Sequence, residues 1–401
     1  MDDGGKDSGT ITTPTRAAAL SPKRGLPIWF CSNVGGGVFG GFHTAAWREL
    51  GLDARLLSTI ALGDYWRAKS KSGLASKLKL RWRMYFEYPL TLRRAVLRAR
   101  PGEVFVVTTN PFFSAALASF AARRSGAKIV NLVYDLYPDA LYFGGGWSRS
   151  NLAARFAAWT TRRAIHQCAV TVYLGERLQR HAEKAYGVAP ETVVISVGTD
   201  ASVFRKSEPQ LRTAPGLRCL YSGHMGLLHD WRTLAGVFER GLPPGVAVEI
   251  AADGPGAVQL KTVVQGCDAK TRDRIQLAGT RGDADWRAAM LGADVALVTM
   301  TPSAGKVVMP SKTYSAMAAG QAVLAVCAAG SDLANLVSTH DCGWVVAPGD
   351  GDALHQLLTN LASAPDKVLA KRRNAFAAAH AHYSMEAVSQ QWVDLFNQLH
   401  E

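Results

Sequence analysis

The segment from Val307 to Val326, VVMPSKTYSAMAAGQAVLAV, begins a helix of small residues with a proline, a serine and a lysine. Pro310 suits the entry to a helix, and Ser311 can cap the first backbone N–H groups. Those N–H groups and the helix dipole attract an anion, and Lys312 adds a full positive charge at the same end. A diphosphate fits this position best, because the ligands of doubly wound sheets gather where the strands end. The alternative is a capped surface helix without a ligand.

A second candidate site is the glycine-rich turn in CSNVGGGVFGG. Gly35, Gly37 and Gly40 satisfy the G-x-G-x-x-G pattern, but the next strand, ARLLST, ends without the carboxylate that binds an adenosine ribose. We therefore expect the turn to let an acceptor approach the backbone, with Gly36 and Gly37 on the acceptor side. A purely structural turn is the alternative.

A basic and aromatic segment runs from Arg67 to Arg100. It contains eleven Lys or Arg residues and one acid, Glu87, with aromatic and aliphatic residues interleaved. A helix that lies in the plane of an anionic membrane explains this mixture. A basic groove for an acceptor phosphate and a solvated helix face are the alternatives. The residues expected to dock on the membrane are Lys77, Lys79, Arg81, Trp82 and Arg83.

The elements that must position these residues follow from the alternation of strand-length apolar runs with helical patterns along the whole chain. Such alternation predicts an α/β protein of two doubly wound, Rossmann-like domains, and 401 residues are enough for two cores. We expect a flexible extension at 1–25, an N-terminal domain at 26–199, a linker at 200–215, a C-terminal domain at 216–383 and a final helix at 384–401. The final helix has apolar residues at helical spacing, enough to pack one face.

The formal net charge of +13 predicts anionic partners such as nucleotides, nucleic acid, acidic lipid or phosphorylated substrates. The polar opening of the chain lacks the apolar region of a signal peptide, and no apolar run reaches the length of a membrane span. We therefore expect a cytoplasmic location, with peripheral contact at the inner face of the membrane.

Eight segments together resemble family 4 GT-B glycosyltransferases, in particular those of bacterial capsule, O-antigen and exopolysaccharide assembly. They occur in the order found in that family and span about Ile28 to Tyr383. The segments are TTNPFF, YDLYPD, SVGTDASVF, YSGHMGLLHDWRTL, AADGPG, GADVALV, PSKTYSAMAAGQAVLAV and CGWVVAPGD.

The resemblance implies transfer of a sugar from a nucleotide diphosphate sugar, with retention at the anomeric carbon and without a bound metal or other cofactor. Positive charge and N–H donors must then lie where the departing diphosphate develops its charge. Two glutamates of the family correspond to Val307 and Ser315, so the ribose and the sugar must be held differently here. His224 and His229 stand where many members have Arg and Lys. The residues expected to bind the donor are Gly223, His224, His229, Gly254, Ser311, Lys312 and Ser315.

On the acceptor side, Asn110 and Asp135 each follow a strand and should face the cleft between the domains. Asp135 could receive the proton of the acceptor hydroxyl or orient the acceptor. Capping a helix or closing a turn beside Pro138 is the alternative role for Asp135. His380 and His382 have no acidic or cysteine neighbour in sequence, so we expect a surface helix there and no metal site.

The sequence therefore predicts a retaining glycosyltransferase, with Asp135 and Lys312 as catalytic residues and a saccharide on a polyprenyl lipid as acceptor. A sugar-nucleotide epimerase of the same fold and a transferase for a soluble acceptor are the enzymatic alternatives. A nucleic-acid-binding protein would explain the charge but not the helix at Lys312 or the ordered segments.

Overall fold

The computed structural model describes residues 25–37, 40–70, 73–204, 207–212 and 215–400. Apart from Gly25, the extension predicted at 1–25 lies outside these residues.

Within the described ranges, the strands form two six-stranded parallel sheets and one short two-stranded pair. In chain order the strands are β1 Ile28–Cys31, β2 Val34–Gly35, β3 Ala54–Leu57, β4 Ile60–Ala61, β5 Val104–Thr108, β6 Lys128–Val133, β7 Val170–Tyr173, β8 Thr192–Val194, β9 Leu217–Ser222, β10 Val246–Ala251, β11 Ile275–Ala278, β12 Val295–Thr299, β13 Ala322–Val326 and β14 Gly343–Val346.

The first sheet has the order β3-β1-β5-β6-β7-β8, and the second has the order β11-β10-β9-β12-β13-β14. The central strands β5 and β13 are buried along their whole length, which explains their continuous apolar sequences VFVVT and AVLAV. The order reverses between β1 and β5 in the first sheet and between β9 and β12 in the second. Ligands of such sheets bind beyond the carboxyl ends of the strands at these reversals. The predicted pair of doubly wound, Rossmann-like sheets is confirmed.

Helices cover both faces of each sheet. In chain order they are α1 Gly41–Glu49, α2 Leu62–Ser70, α3 Leu74–Trp82, α4 Tyr88–Leu97, α5 Ser114–Ser125, α6 Asp139–Phe143, α7 Leu152–Gln167, α8 Glu176–Tyr186, α9 Arg232–Arg240, α10 Pro255–Gly266, α11 Ala269–Arg272, α12 Asp283–Gly292, α13 Lys312–Ala318, α14 Asp332–Thr339, α15 Gly351–Ala362, α16 Pro365–Ala378 and α17 Met385–His400.

The final helix, α17, crosses back from the second domain to the first, where it packs on α1. The rings of Trp392 and Phe396 lie 5.3 and 5.0 Å from that of Trp47, and all three side chains are fully buried. The apolar spacing in the final helix therefore serves a contact with the N-terminal domain.

The domain boundaries stay a prediction, although β8 ends at Val194 and β9 begins at Leu217, on either side of the expected linker. Of that linker, residues 205, 206, 213 and 214 lie outside the described ranges. Among the helices that the structure describes, none has both the length and the apolar character needed to cross a membrane.

Candidate active site

Lys312 is the first residue of α13, and its side chain reaches the end of β9. Its Nζ donates hydrogen bonds to the Tyr221 hydroxyl at 2.8 Å and to the His224 carbonyl at 3.2 Å, and lies 4.1 Å from the centroid of the Tyr221 ring. Burial lowers the pKa of Lys312 to about 7, and the negative charge of Asp253 acts in the opposite direction. The Lys312 side chain therefore changes between its charged and neutral forms close to neutral pH.

His224 follows β9 and is tied to the loop that follows β10. Its Nδ1 donates to the Asp253 carboxylate at 2.6 Å, and both side chains are about half exposed. Gly254 has a φ of 97°, and a Cβ there would lie 2.7 Å from His224 Cε1. Gly223, with a φ of 104°, likewise adopts a conformation that favours glycine. The two glycines let the loops after β9 and β10 approach each other and leave His224 exposed at their edge.

His229 lies deeper in the same loop, and it is neutral at physiological pH. Burial, together with the nearby charges of Lys312 and His224, lowers the pKa of its imidazole to about 3. Its Nδ1 accepts a hydrogen bond from the Gly226 N–H at 3.1 Å, so the proton of the neutral ring is on Nε2. His229 can therefore donate a hydrogen bond to an anion but supplies no positive charge.

The prediction that the Ser311 side chain caps α13 is wrong. Ser311 is exposed and its side chain makes no capping hydrogen bond, because its backbone already has helical dihedral angles of −58° and −26°. An N-cap serine accepts from the backbone only when its own φ and ψ lie in the extended region. The charge at this end of the helix therefore comes from Lys312.

The two positions that match the family's glutamates are occupied differently. Val307 is fully buried in the apolar core. Ser315 is half-buried, and its hydroxyl lies 3.0 Å from that of Thr199, which follows β8. The role of Ser315 as a ribose contact stays a prediction.

The glycine turn of the first domain uses backbone conformations that favour glycine. Gly36 has a φ of 112° and Gly37 a φ of 52°, and a Cβ on Gly41 would lie 2.8 Å from the Gly36 carbonyl carbon. Residues 38 and 39 lie outside the described ranges. The turn lies beyond β1, at the reversal of the first sheet, so both the acceptor-side and the structural interpretation stay open.

Asn110 and Asp135 follow β5 and β6, and both are half-buried. The Asp135 backbone N–H donates to the Thr109 hydroxyl at 3.3 Å, which holds the two loops together. Burial raises the pKa of the Asp135 carboxyl to about 6. A carboxyl group with this pKa can accept a proton near neutral pH, as a general base must.

The two sets of loops meet across the domains. A Cβ on Gly144, at the end of α6, would lie 3.5 Å from Leu227 Cβ in the loop that carries His224 and His229.

Among the described residues, no three His, Cys, Asp or Glu side chains are grouped so that they could hold a metal ion. His380, which was expected on a surface helix, is half-buried in a π-helical turn at Ala379–Tyr383.

The basic and aromatic segment forms α3, a π-helical turn at Arg83–Glu87, and α4. Lys77, Lys79, Arg81 and Trp82 are exposed. The large exposed apolar side chains are Leu74, Leu78, Trp82, Tyr85, Phe86 and Leu90. Arg83 differs from the prediction, since it is half-buried, donates to the Thr59 carbonyl and pairs with Glu87 at 3.3 Å. It is therefore held by the protein and is not available to a membrane.

Sequence reasoning missed two residues of this site, Tyr221 and Asp253. Tyr221 is fully buried and supplies both a hydroxyl and a ring face to Lys312. Asp253 orients His224. Tyr221 and Asp253 lie at strand ends, in the segments YSG and AADGPG. Their position at a strand end is the feature of the sequence that could have identified them as site residues.

Residues 220–364 match the family model described as glycosyl transferases group 1. A probable glycosyltransferase of Pseudomonas aeruginosa, WbjE, is 24% identical over 273 residues, covering 66% of this chain and 67% of WbjE.

Solved structures show the same fold at low sequence identity. Sucrose-phosphate synthase of Thermosynechococcus elongatus has a TM-score of 0.70 at 15% identity, covering 94% of this chain and 99% of that one. HepE of Anabaena, in complex with UDP-glucose, has a TM-score of 0.67 at 17% identity, covering 93% and 100%. WaaG, a glycosyltransferase involved in lipopolysaccharide biosynthesis, has a TM-score of 0.62 at 15% identity, covering 92% and 99%. Residues 220–364 are therefore similar to the group 1 glycosyl transferases, and the chain has the two-domain GT-B fold of these solved structures.

Proposed function

We propose that the protein transfers a sugar, with retention at the anomeric carbon, from a nucleoside diphosphate sugar to a hydroxyl of a lipid-linked saccharide. The observation that carries the donor half of this proposal is Lys312, a half-buried lysine with a pKa near 7 at the end of β9. A buried cation of this kind gains most from a ligand that brings negative charge, because the surroundings offer it little solvation.

The donor diphosphate would bind beside Lys312, in the loop Gly223–His229. Two of the three ammonium hydrogens are directed to Tyr221 and His224, and the third is left for a phosphate oxygen. The Nε2–H of the neutral His229 is a further donor. Together these groups stabilise the negative charge that grows on the leaving diphosphate as the glycosidic bond breaks.

The acceptor would bind on the first domain, with its hydroxyl near Asp135. A carboxylate with a raised pKa can take the hydroxyl proton as the new bond forms. Asn110 and the turn at Gly36 and Gly37 lie at neighbouring strand ends and are the other groups proposed to contact the acceptor.

UDP and UDP-glucose are the first ligands to test, since HepE has been solved with both. Titration calorimetry against UDP, GDP, ADP, CDP and dTDP identifies the base, and binding of none of them would refute the donor site. Proton NMR of the product reports the anomeric configuration, and inversion would refute retention. Conversion of the sugar nucleotide without an acceptor would favour the epimerase.

A lipid-linked acceptor is supported by the surface of α3 and α4. Trp82 is 60% exposed and stacks on Phe86 at 4.7 Å, with Lys77, Lys79 and Arg81 exposed on the same stretch. Aromatic rings at the headgroup level and cations near anionic lipid both favour peripheral binding. We propose that this surface brings the acceptor domain to the membrane. Equal transfer to lipid-linked and to soluble saccharides would refute the preference.

A further inference from the structure

A cavity of about 400 Å³ lies between the two domains, apart from the cluster around Lys312. One wall is α8 of the first domain, and the other is formed by the segments that follow β12 and β13. We call this cavity the α8 pocket. Its lining residues are Arg177, Arg180, His181, Lys184, Pro302, Gly305, Lys306, Ala328, Gly330 and Ser331.

The α8 wall is basic because of the helical spacing of its cations. Arg177, Arg180, His181 and Lys184 occur at intervals of three and four residues, so they share one face of the helix. The opposite face of α8 is buried in the core through Leu178, Ala182 and Tyr186. The buried face fixes the rotation of the helix, and the cations are therefore held toward the pocket.

Several of the surrounding groups are already partnered, and two cations are not. Arg177 Nε donates to the Gly330 carbonyl, His181 bonds to Asp139 at 3.0 Å, and Arg180 makes an exposed contact of 3.5 Å with Glu176. In the part of the chain that the structure describes, no carboxylate pairs with Lys184 or Lys306, one from each domain. The pocket therefore keeps uncompensated positive charge on both walls.

The walls are held together by a contact between the domains. The Asp332 carboxylate of α14 accepts hydrogen bonds from the backbone N–H groups of Arg177 at 2.9 Å and Leu178 at 3.2 Å. This contact favours glycine at position 175, because a Cβ on Gly175 would lie 2.3 Å from Asp332 Oδ2. The Asp332 carboxylate is hydrogen-bonded to the start of α8, so it does not neutralise the charge of Lys184 or Lys306.

We propose that the α8 pocket binds a phosphate or diphosphate group of the acceptor, which then bridges Lys184 and Lys306 across the two domains. The volume is that of a small-molecule site, and it is too small for a folded or duplex partner. Phosphate oxygens match cations that converge from two sides, because each oxygen can accept charge-assisted hydrogen bonds. The pocket opens beyond the ends of β7, β12 and β13, the same edge of the sheets as the active site. Assignment of the anion to the acceptor rests on the proposed function, whereas anion binding itself does not.

The test is titration of inorganic pyrophosphate into the full chain saturated with the nucleoside diphosphate that it binds, so that the donor site is filled. We expect a second, weaker binding event. The double variant Lys184→Gln with Lys306→Gln should weaken it about tenfold or more, since charge-assisted bonds contribute strongly. The matched control, Lys261→Gln with Lys270→Gln, removes the same charge from exposed positions and should bind as the wild type does.

The proposal that the α8 pocket binds an anion would be refuted if pyrophosphate does not bind the saturated protein, or if it binds both double variants equally. If no nucleoside diphosphate binds at all, the proposed function fails, and the same titration without nucleotide still tests the pocket. Competition then identifies the source of the phosphate. Displacement by a soluble hexose 6-phosphate indicates a sugar phosphate acceptor, and displacement by a polyprenyl diphosphate in micelles indicates a lipid-linked one. Displacement by neither would overturn the assignment to the acceptor.

Discussion

Binding of the donor diphosphate should be accompanied by uptake of a proton on Lys312. With a pKa of about 7, the free enzyme carries this proton on about one molecule in ten at pH 8. A phosphate oxygen beside Nζ restores a normal pKa, so the bound enzyme is fully protonated. The structure thus predicts uptake of about 0.9 proton at pH 8 and about 0.1 at pH 6.

The assay is titration calorimetry at pH 8 in buffers of different ionisation enthalpy, where the slope of observed enthalpy gives the number of protons taken up. UDP is fully ionised at this pH, so its own titration adds little. Lys312→Ala should abolish the uptake, whereas Lys261→Ala removes an exposed charge and should not change it. Equal uptake by the wild type and Lys312→Ala would refute the reasoning.

The same substitution should slow transfer more than it weakens donor binding, because the charge on the diphosphate is greatest as the bond breaks. One such donor contributes about 2 to 4 kcal/mol to transition-state stabilisation. A Lys312→Ala enzyme with the kcat/KM of the wild type would remove this lysine from the mechanism.

Other predictions follow from the same geometry. For the wild type, kcat/KM should fall below about pH 6, where Asp135 is protonated, and above about pH 7, where Lys312 loses its proton. The Asp135→Asn variant should lose the decrease on the acid side. If its pH profile is the same as that of the wild type, Asp135 is not the general base. Transfer should survive EDTA, and loss of activity that magnesium or manganese restores would count against metal-independent chemistry. Ser311→Ala should cost well under 1 kcal/mol of stability, because its side chain makes no cap, and a loss of about 1 kcal/mol or more on thermal unfolding would contradict this. Replacing Lys77, Lys79 and Arg81 with Gln should weaken cosedimentation with anionic liposomes by about 1 kcal/mol per charge at low salt, whereas equal binding would favour a solvated face.

Much of the fold follows from local pattern. Strands such as VFVVT and AVLAV are buried on both faces, so their sequences are continuously apolar, and the helices between them keep an apolar spacing of their own. The start of α13 at Lys312 could be placed in the same way, because proline and serine mark helix entries. These signals lie within a few residues of the element they describe.

The electrostatics of the site could not be predicted in this way. The charge of His229 depends on burial and on the nearby Lys312 and His224, and the pKa of Lys312 depends on burial and on Asp253 from the loop after another strand. Serine is a common helix N-cap, but the backbone of Ser311 has helical dihedral angles and its side chain makes no capping hydrogen bond. Each of these properties is set by loops that meet only after the sheets have formed.

The packing of α17 on α1 has a consequence for how the chain is made. The first domain is synthesised before the second, but the ring of Trp47 packs against Trp392 and Phe396 of α17 as well as against Phe30 and His43 of its own domain. Until α17 has been translated, this aromatic cluster lacks its partners from α17, although domains made early usually fold early. The nascent first domain therefore exposes part of this cluster until α17 has been made, and a binding partner for apolar surfaces would protect it from aggregation during that time.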